Sequence, residues 1–301
     1  MGIARKLPIS DGPLWGAGLV ALLTALYAPL LWHWVDGWLN KSIGIEHEYF
    51  SHGLIGLPFA AYIAWSQRAA WGQLRDRAHP LGAALLGLGA AFYLSSITDL
   101  VNLSLPVLLA GICLWLKGVP GLRLQWFPLL LVLLATPNDV PYLLAPYTLP
   151  LQTFIAGTAG FILIQMGLDV TVREIYLYVG GRIVEVAPYC AGLKMLFTSL
   201  YVGLMLLYWT GAIASRRHTI ALLSGAIAIS VTANIIRNTL LTYFHGTGQD
   251  GAFHWLHEGW GGDVYSTLML GAIVVLLQVI ERYWPEPAPE TAGALPGDNA
   301  P

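Results

Sequence analysis

Runs of apolar residues separated by short polar loops recur along the chain, at about 14–34, 52–66, 81–97, 101–116, 124–136, 190–210, 219–236 and 263–280. A helix of about 20 such residues crosses the roughly 30 Å hydrocarbon core of a bilayer. The pattern therefore predicts an all-α polytopic membrane protein with about eight transmembrane helices. The runs at 52–66 and 124–136 are short, and are expected to borrow flanking residues or to cross a locally thin bilayer. A further apolar segment covers about 143–168. After it the pattern changes to "VTVREIYLYVGGRIVEVAPYC", rich in Val, Ile and Tyr. Its Gly180–Gly181 pair suits a two-residue turn, so a short β-hairpin is expected there.

Basic residues set the expected orientation. Arg5 and Lys6 precede the first run, and Arg68, Arg75 and Arg77 follow the second. Lys117 and Arg123 flank "KGVPGLR", Arg216 and Arg217 lie in "SRRH", and Arg282 follows the last run. All of these fit the cytoplasmic side if the N-terminus is inside. The loops "VDGWLNKSIGIEHEYFSH", "SSITDLVN", "TPNDVP" and "LTYFHGTGQDGAFHWLHEGWGGD" then face outwards, together with the hairpin. On this count the segment 143–168 begins and ends outside, so it is expected to be re-entrant or interfacial. Non-helical backbone at membrane depth is tolerated only against protein or a wet cavity, which makes this segment a candidate wall for a site. Residues 1–284 read as one multi-span membrane domain, and the Pro- and Ala-rich tail 285–301 as disordered. "MGIARKLPISDGP" reads as a basic lead into the first span, without a cleavage site.

Composition agrees with this class. Of 301 residues, 56% are hydrophobic and 11% charged, against about 25% charged in soluble domains. The 15 Lys and Arg form no basic stripe, so no nucleic-acid partner is expected. The two cysteines, Cys113 and Cys190, form no C-x-x-C pair. A nucleophile elbow and a phosphate loop are both missing.

Polar groups at the rim of a membrane bundle are costly, and are functional candidates for that reason. Cys190 follows Pro188 where an apolar run begins, so it is expected in a first helical turn. The helix dipole favours a thiolate there. A packed small apolar residue is the competing reading, and position alone does not choose. Asn234, Arg237 and Asn238 share one helix face by their i, i+3, i+4 spacing. Arginine at that site offers donors to an oxyanion or a carboxylate, or snorkels to the interface. His257 precedes the last span and is a candidate acid–base group. His47, His52, His245 and His254 compete with it. The order H-x-x-H-E at His254, His257 and Glu258 is wrong for a zinc-protease helix. The Gly259–Gly261–Gly262 cluster is expected to stop any helix there. Neither a metal nor a cofactor is expected.

A Cys after a Pro, an N-x-x-R at the end of a later span and a His before the last span, together with "YFSHGLIGLPFAAYIAW", resemble the exosortase/archaeosortase family of membrane transpeptidases. The likeness runs from about residue 45 to 282, and the stretch around "SIGIEHEYFSHG" looks most like the cyanobacterial branch. By resemblance, Cys190 matches the nucleophile, Arg237 the arginine and His257 the third catalytic member. Glu258 matches the acidic residue that follows it, and His52, in "SHG", an early motif that lines the site. Ala191 stands where many members carry serine, which puts a hydroxyl role there in doubt. The resemblance implies substrates that are exported, membrane-anchored proteins with a C-terminal sorting tail. That tail comprises a Pro-Glu-Pro-like motif, one membrane helix and a basic end, and an amine acceptor takes the new C-terminus. The chain's own "PEPAPE" at 285–290 reads as incidental, since neither a helix nor a basic cluster follows it. A transporter lined by Arg237 and a non-catalytic scaffold remain the alternatives. A missing internal repeat and the lack of acidic residues in mid-span count against the first.

Overall fold

The structure, a computed structural model, describes residues 13–40, 49–187, 192–257 and 259–284. The tail 285–301, Cys190, Glu258 and His47 lie outside the described residues. The chain forms two compact units, Met1–Tyr142 and Leu143–Pro301.

The first unit holds α1 (Pro13–Asn40), α2 (Gly53–Ser66), α3 (Arg68–Gln73), α4 (Pro80–Tyr93), α5 (Thr98–Leu124) and α6 (Trp126–Ala135). Helices α4 and α5 pack closely because Gly82 lies against the main chain of Trp115 and Gly111 against that of Leu86. Small residues let backbones approach where no hydrophobic effect drives helices together. Polar side chains add specific links. Trp34 Nε1 donates to Asn102 Oδ1 at 2.8 Å, Asn102 Nδ2 to Pro137 O at 3.0 Å, and Tyr27 and Ser104 share a bond of 2.8 Å. The helix of the 101–116 run breaks at Gly118, where φ is 63° and the backbone is non-helical, and a second short helical stretch fills the rest of the expected "KGVPGLR" loop as far as Leu124.

The second unit begins at the end of α7 (Val140–Leu144) and continues through a 3₁₀ turn (Ala145–Thr148) into α8 (Leu149–Gln165). Three strands follow, β1 (Val170–Arg173), β2 (Tyr176–Val179) and β3 (Arg182–Glu185). Helices α9 (Leu193–Trp209), α10 (Arg216–Gly246), α11 (Asp250–His257) and α12 (Trp260–Tyr283) complete it.

Five helical stretches among the described residues are long and apolar enough to cross a membrane: Gly18–Leu39, Thr98–Leu124, Pro146–Gln165, Arg216–Gly246 and Trp260–Tyr283. Four apolar helices are shorter, Gly53–Ser66, Pro80–Tyr93, Trp126–Ala135 and Leu193–Trp209. At 1.5 Å per residue the ten-residue α6 is about 15 Å long, half a hydrocarbon core. The segment expected to be re-entrant or interfacial is thus one continuous helix over most of its length.

The expected hairpin is present, and it is part of a larger sheet of order β1-β2-β3, antiparallel throughout. Gly180 and Gly181 connect β2 to β3 with φ of 57° and 75°. That pair of positive angles is what a two-residue turn with the twist of the strands requires. The preceding strand escapes the sequence reading because its turn, Glu174–Ile175, carries no glycine or asparagine. Glu174 itself takes φ 53°. The sheet packs on α8: Ile155, Ala156, Ala159 and Leu163 meet Val170, Leu177, Val179 and Val186 in one fully apolar cluster. On the other side of α8, Phe154, Phe161 and Ile164 are exposed.

Candidate active site

Helix α10 carries the polar face predicted for it. Asn234 and Asn238 are buried at 1% and 2% exposure, and Arg237 is half-buried. Asn238 Nδ2 donates to the main-chain oxygen of Asn234 at 2.9 Å and to its Oδ1 at 3.1 Å. This fixes the Asn234 amide with its oxygen engaged, and its Nδ2 stays buried without a hydrogen-bond partner. Such a donor is costly unless something accepts from it.

Gly192, two residues after Cys190 in sequence, lies against that amide. Its φ is 80°, and a Cβ placed on it would stand 2.6 Å from Asn234 Cγ. Glycine is required here twice, for the left-handed backbone and for the close approach. Gly192→Ala is therefore expected to destabilise the protein by about 1–3 kcal/mol from backbone strain alone. A lowered thermal midpoint in detergent, with reduced turnover, would be the readout. An unchanged midpoint would mean that the left-handed turn is dispensable.

The chain is held on the other side of the same segment. Val186 and Ala187 are buried, and Gln152 Nε2 of α8 donates to Val186 O at 2.9 Å. Helix α9 begins at Leu193 after the left-handed Gly192. Cys190, expected in a first helical turn, lies outside the described residues.

Arg237 reaches the end of α11. Its Nη2 lies 3.5 Å from Leu256 O and 3.4 Å from His257 O, two carbonyls at the C-terminus of that helix. A cation is favoured there by the helix dipole. Its Nε is buried without a partner. Among the described residues no carboxylate pairs with this guanidinium. Gly262 keeps the approach open, since a Cβ on it would lie 2.9 Å from Leu256 O and 3.8 Å from Arg237 Nη2. Tyr265 OH donates to Ala233 O at 2.5 Å and ties α12 to α10 on the adjoining turn.

His257 is the last residue of α11. Its ring stacks on Phe253, with centroids 5.1 Å apart and planes at 10°. Phe253 also meets His245 and His254, with centroids at 5.0 and 5.7 Å. At the start of α11, Asp250 is bonded twice by Arg182 of β3. The Arg182 hydrogen bond holds the Asp250 carboxyl below the usual carboxylate range. His245 Nδ1 stands 3.8 Å from the same carboxylate. Helix α11 is thus gripped by an arginine at each end, one on a side chain and one on main-chain carbonyls. The glycine cluster acts only in part as expected: Gly259 separates the helices, while Gly261 and Gly262 lie inside α12 and pack on Trp255 and Leu256.

The structure therefore brings Asn234, Asn238, Arg237 and the end of α11 with His257 together in the second unit. His52 belongs to the first unit. It is buried at 5%, with Nε2 3.1 Å from Leu134 O, and it precedes α2. Cys113 is buried in α5 at 8% exposure. Among the described residues no group of three or more His, Cys, Asp or Glu is placed to hold a metal ion. Sequence reasoning missed Gly192, Gln152, Arg182 and Asp250. Two of these had a signal: a glycine two residues after the cysteine, and an acid opening "DGAFHWLH".

Several apolar helices of spanning length, with arginine, asparagine and histidine gathered at one helix corner, define a multi-pass membrane protein with a buried polar site. A family model described as transmembrane exosortase matches residues 34–274, most of the chain. The chain belongs to that family. No curated protein and no solved structure matches it.

Proposed function

We propose that this chain is a membrane-embedded cysteine transpeptidase. It would cleave the C-terminal, Pro-Glu-Pro-like sorting tail of exported membrane-anchored proteins and pass the new C-terminus to an amine acceptor. One observation carries the reading: Gly192, adjoining the Cys190 segment, packs on an Asn234 amide that has a free donor. On the same helix face Arg237 meets the end of the helix that carries His257.

In this reading His257 takes the thiol proton of Cys190, and the thiolate attacks the peptide carbonyl near the motif. The oxyanion forms opposite Asn234 Nδ2 and the Arg237 guanidinium, whose buried Nδ2 and Nε lack hydrogen-bond partners among the described residues. The intermediate collapses to a thioester. His257 returns the proton to the departing amine, which stays with the substrate's membrane anchor. An amine acceptor then attacks the thioester and frees the thiol. Glu258 is a supporting residue in this scheme.

In this reading the site faces the extracytoplasmic side of the cell membrane and both termini are cytoplasmic, as the distribution of basic residues suggests. The length of α10 supports this depth. Its 31 residues measure about 46 Å, well beyond a 30 Å core. Arg237 lies nine residues, about 14 Å, from the Gly246 end, which suits a site at the rim where water is scarce and transfer can outrun hydrolysis.

The test is co-expression with a tagged protein bearing such a tail. A shortened product with wild type, and none with His257→Ala, is expected. Cleavage at the wild-type rate by His257→Ala would remove the acid–base role. Transport that survives Cys190→Ser would favour a transporter, and tolerance of changes at Cys190, Arg237 and His257 alike a scaffold.

A further inference from the structure

Strand β3 is an edge of the sheet, and it runs on through Val186 and Ala187 towards Cys190 in sequence. The register decides which of its main-chain groups face outwards. Val179 and Arg182 flank the Gly180–Gly181 turn and are paired. Further along, Val186 N–H donates to Ile175 O at 2.9 Å. In an antiparallel ladder, bonded pairs alternate with unbonded ones. The bonded pairs are therefore Val179–Arg182, Leu177–Val184 and Ile175–Val186. Ile183 and Glu185 stand opposite Tyr178 and Tyr176 in the unbonded positions. Their N–H and C=O groups point away from β2, and among the described residues nothing takes them. Both residues are exposed, Ile183 at 57%. An open edge with an exposed isoleucine is a liability that proteins usually cover or charge.

We propose that this edge binds the substrate's sorting tail as a fourth, extended strand and leads it to Cys190. The proposal rests on the transpeptidase reading and names how that site recognises its peptide. An added strand bonds an edge through every second residue, and leaves the alternate ones facing out. A Pro-Glu-Pro segment has that period. Proline has no N–H to give and is tolerated where its nitrogen faces away from a ladder. With both prolines turned outwards, the glutamate between them presents its N–H and C=O to the outward groups of β3. The opposite edge, β1, follows α8 in sequence, whereas β3 is the edge that continues in sequence to Cys190.

Proline substitution reads this directly. Ile183→Pro and Glu185→Pro each delete an outward N–H and leave the bonds to β2 in place. Each is expected to raise KM for a tailed peptide about 2- to 10-fold, the range of one hydrogen bond, with kcat little changed. Ile183→Ala and Glu185→Ala keep both N–H groups, so a rise in KM confined to the proline variants is the loss of the main-chain bond. Binding is read separately by disulfide trapping with Cys190→Ala, Cys113→Ser protein carrying Ile183→Cys or Glu185→Cys. The peptide has a cysteine beside its motif. Paired strands bring such Cβ atoms to about 4.5–5.5 Å, so cross-linking is expected at 183 or 185 and not at a Thr171→Cys control on β1. No cross-link at 183 or 185, or trapping at Thr171→Cys instead, overturns the proposal, as does an unchanged KM in both proline variants. Because trapping needs no turnover, a peptide trapped at 183 or 185 that the protein with Cys190 intact leaves uncut would bring down the transpeptidase reading and spare the edge.

Discussion

Cys190→Ala is expected to leave a co-expressed tail-bearing substrate at full length while the protein still inserts in the membrane. Loss of a nucleophile that works as a unit with its base lowers turnover by on the order of 10⁶, which is below detection in such an assay. With wild type, hydroxylamine should release a hydroxamate-capped product, since it attacks the thioester in place of the acceptor amine. Described residues on either side of the segment are fixed, by Gln152 through Val186 and by Asn234 against Gly192. A cysteine needed only for packing would require none of the unpartnered donors on α10. Equal cleavage by wild type and Cys190→Ala would return the residue to that packed role, and the mechanism would fall with it.

The parts legible in the sequence are those set by short-range rules. The apolar runs mark most helices because lipid exposure demands apolar side chains. The i, i+3, i+4 spacing put Asn234, Arg237 and Asn238 on one face, and all three lie there. The Gly180–Gly181 turn was readable because only glycine takes two positive φ angles cheaply. What failed depended on distant partners. A short helical stretch follows the non-helical Gly118 inside the expected "KGVPGLR" loop, and Lys117 pairs with Asp76 at 2.6 Å, far back in the chain. Gly261 and Gly262 enter α12 because the Trp255 ring and Leu256 O need the space, and local helix propensity yields to that packing. The grip of Arg182 on Asp250 joins residues 68 positions apart, and no local pattern announces it.

Arg237 raises a question of magnitude. Its contacts to Leu256 O and His257 O, at 3.5 and 3.4 Å, are those of a helix cap. A cation at a helix C-terminus is worth about 0.3–1 kcal/mol, and a factor of ten in rate needs about 1.4 kcal/mol. A pure cap would therefore cost less than about tenfold when removed. An oxyanion donor costs roughly 10²–10³ in kcat. Arg237→Ala is expected to fall in the second range, with a small fall in the thermal midpoint. Arg237→Lys keeps the charge near the carbonyls but loses the planar fork, so it should restore the midpoint and recover little of kcat. If kcat instead follows stability across both variants, and neither loses more than about tenfold, Arg237 acts on α11 alone. The oxyanion would then rest on Asn234, whose buried Nδ2 already lacks a partner.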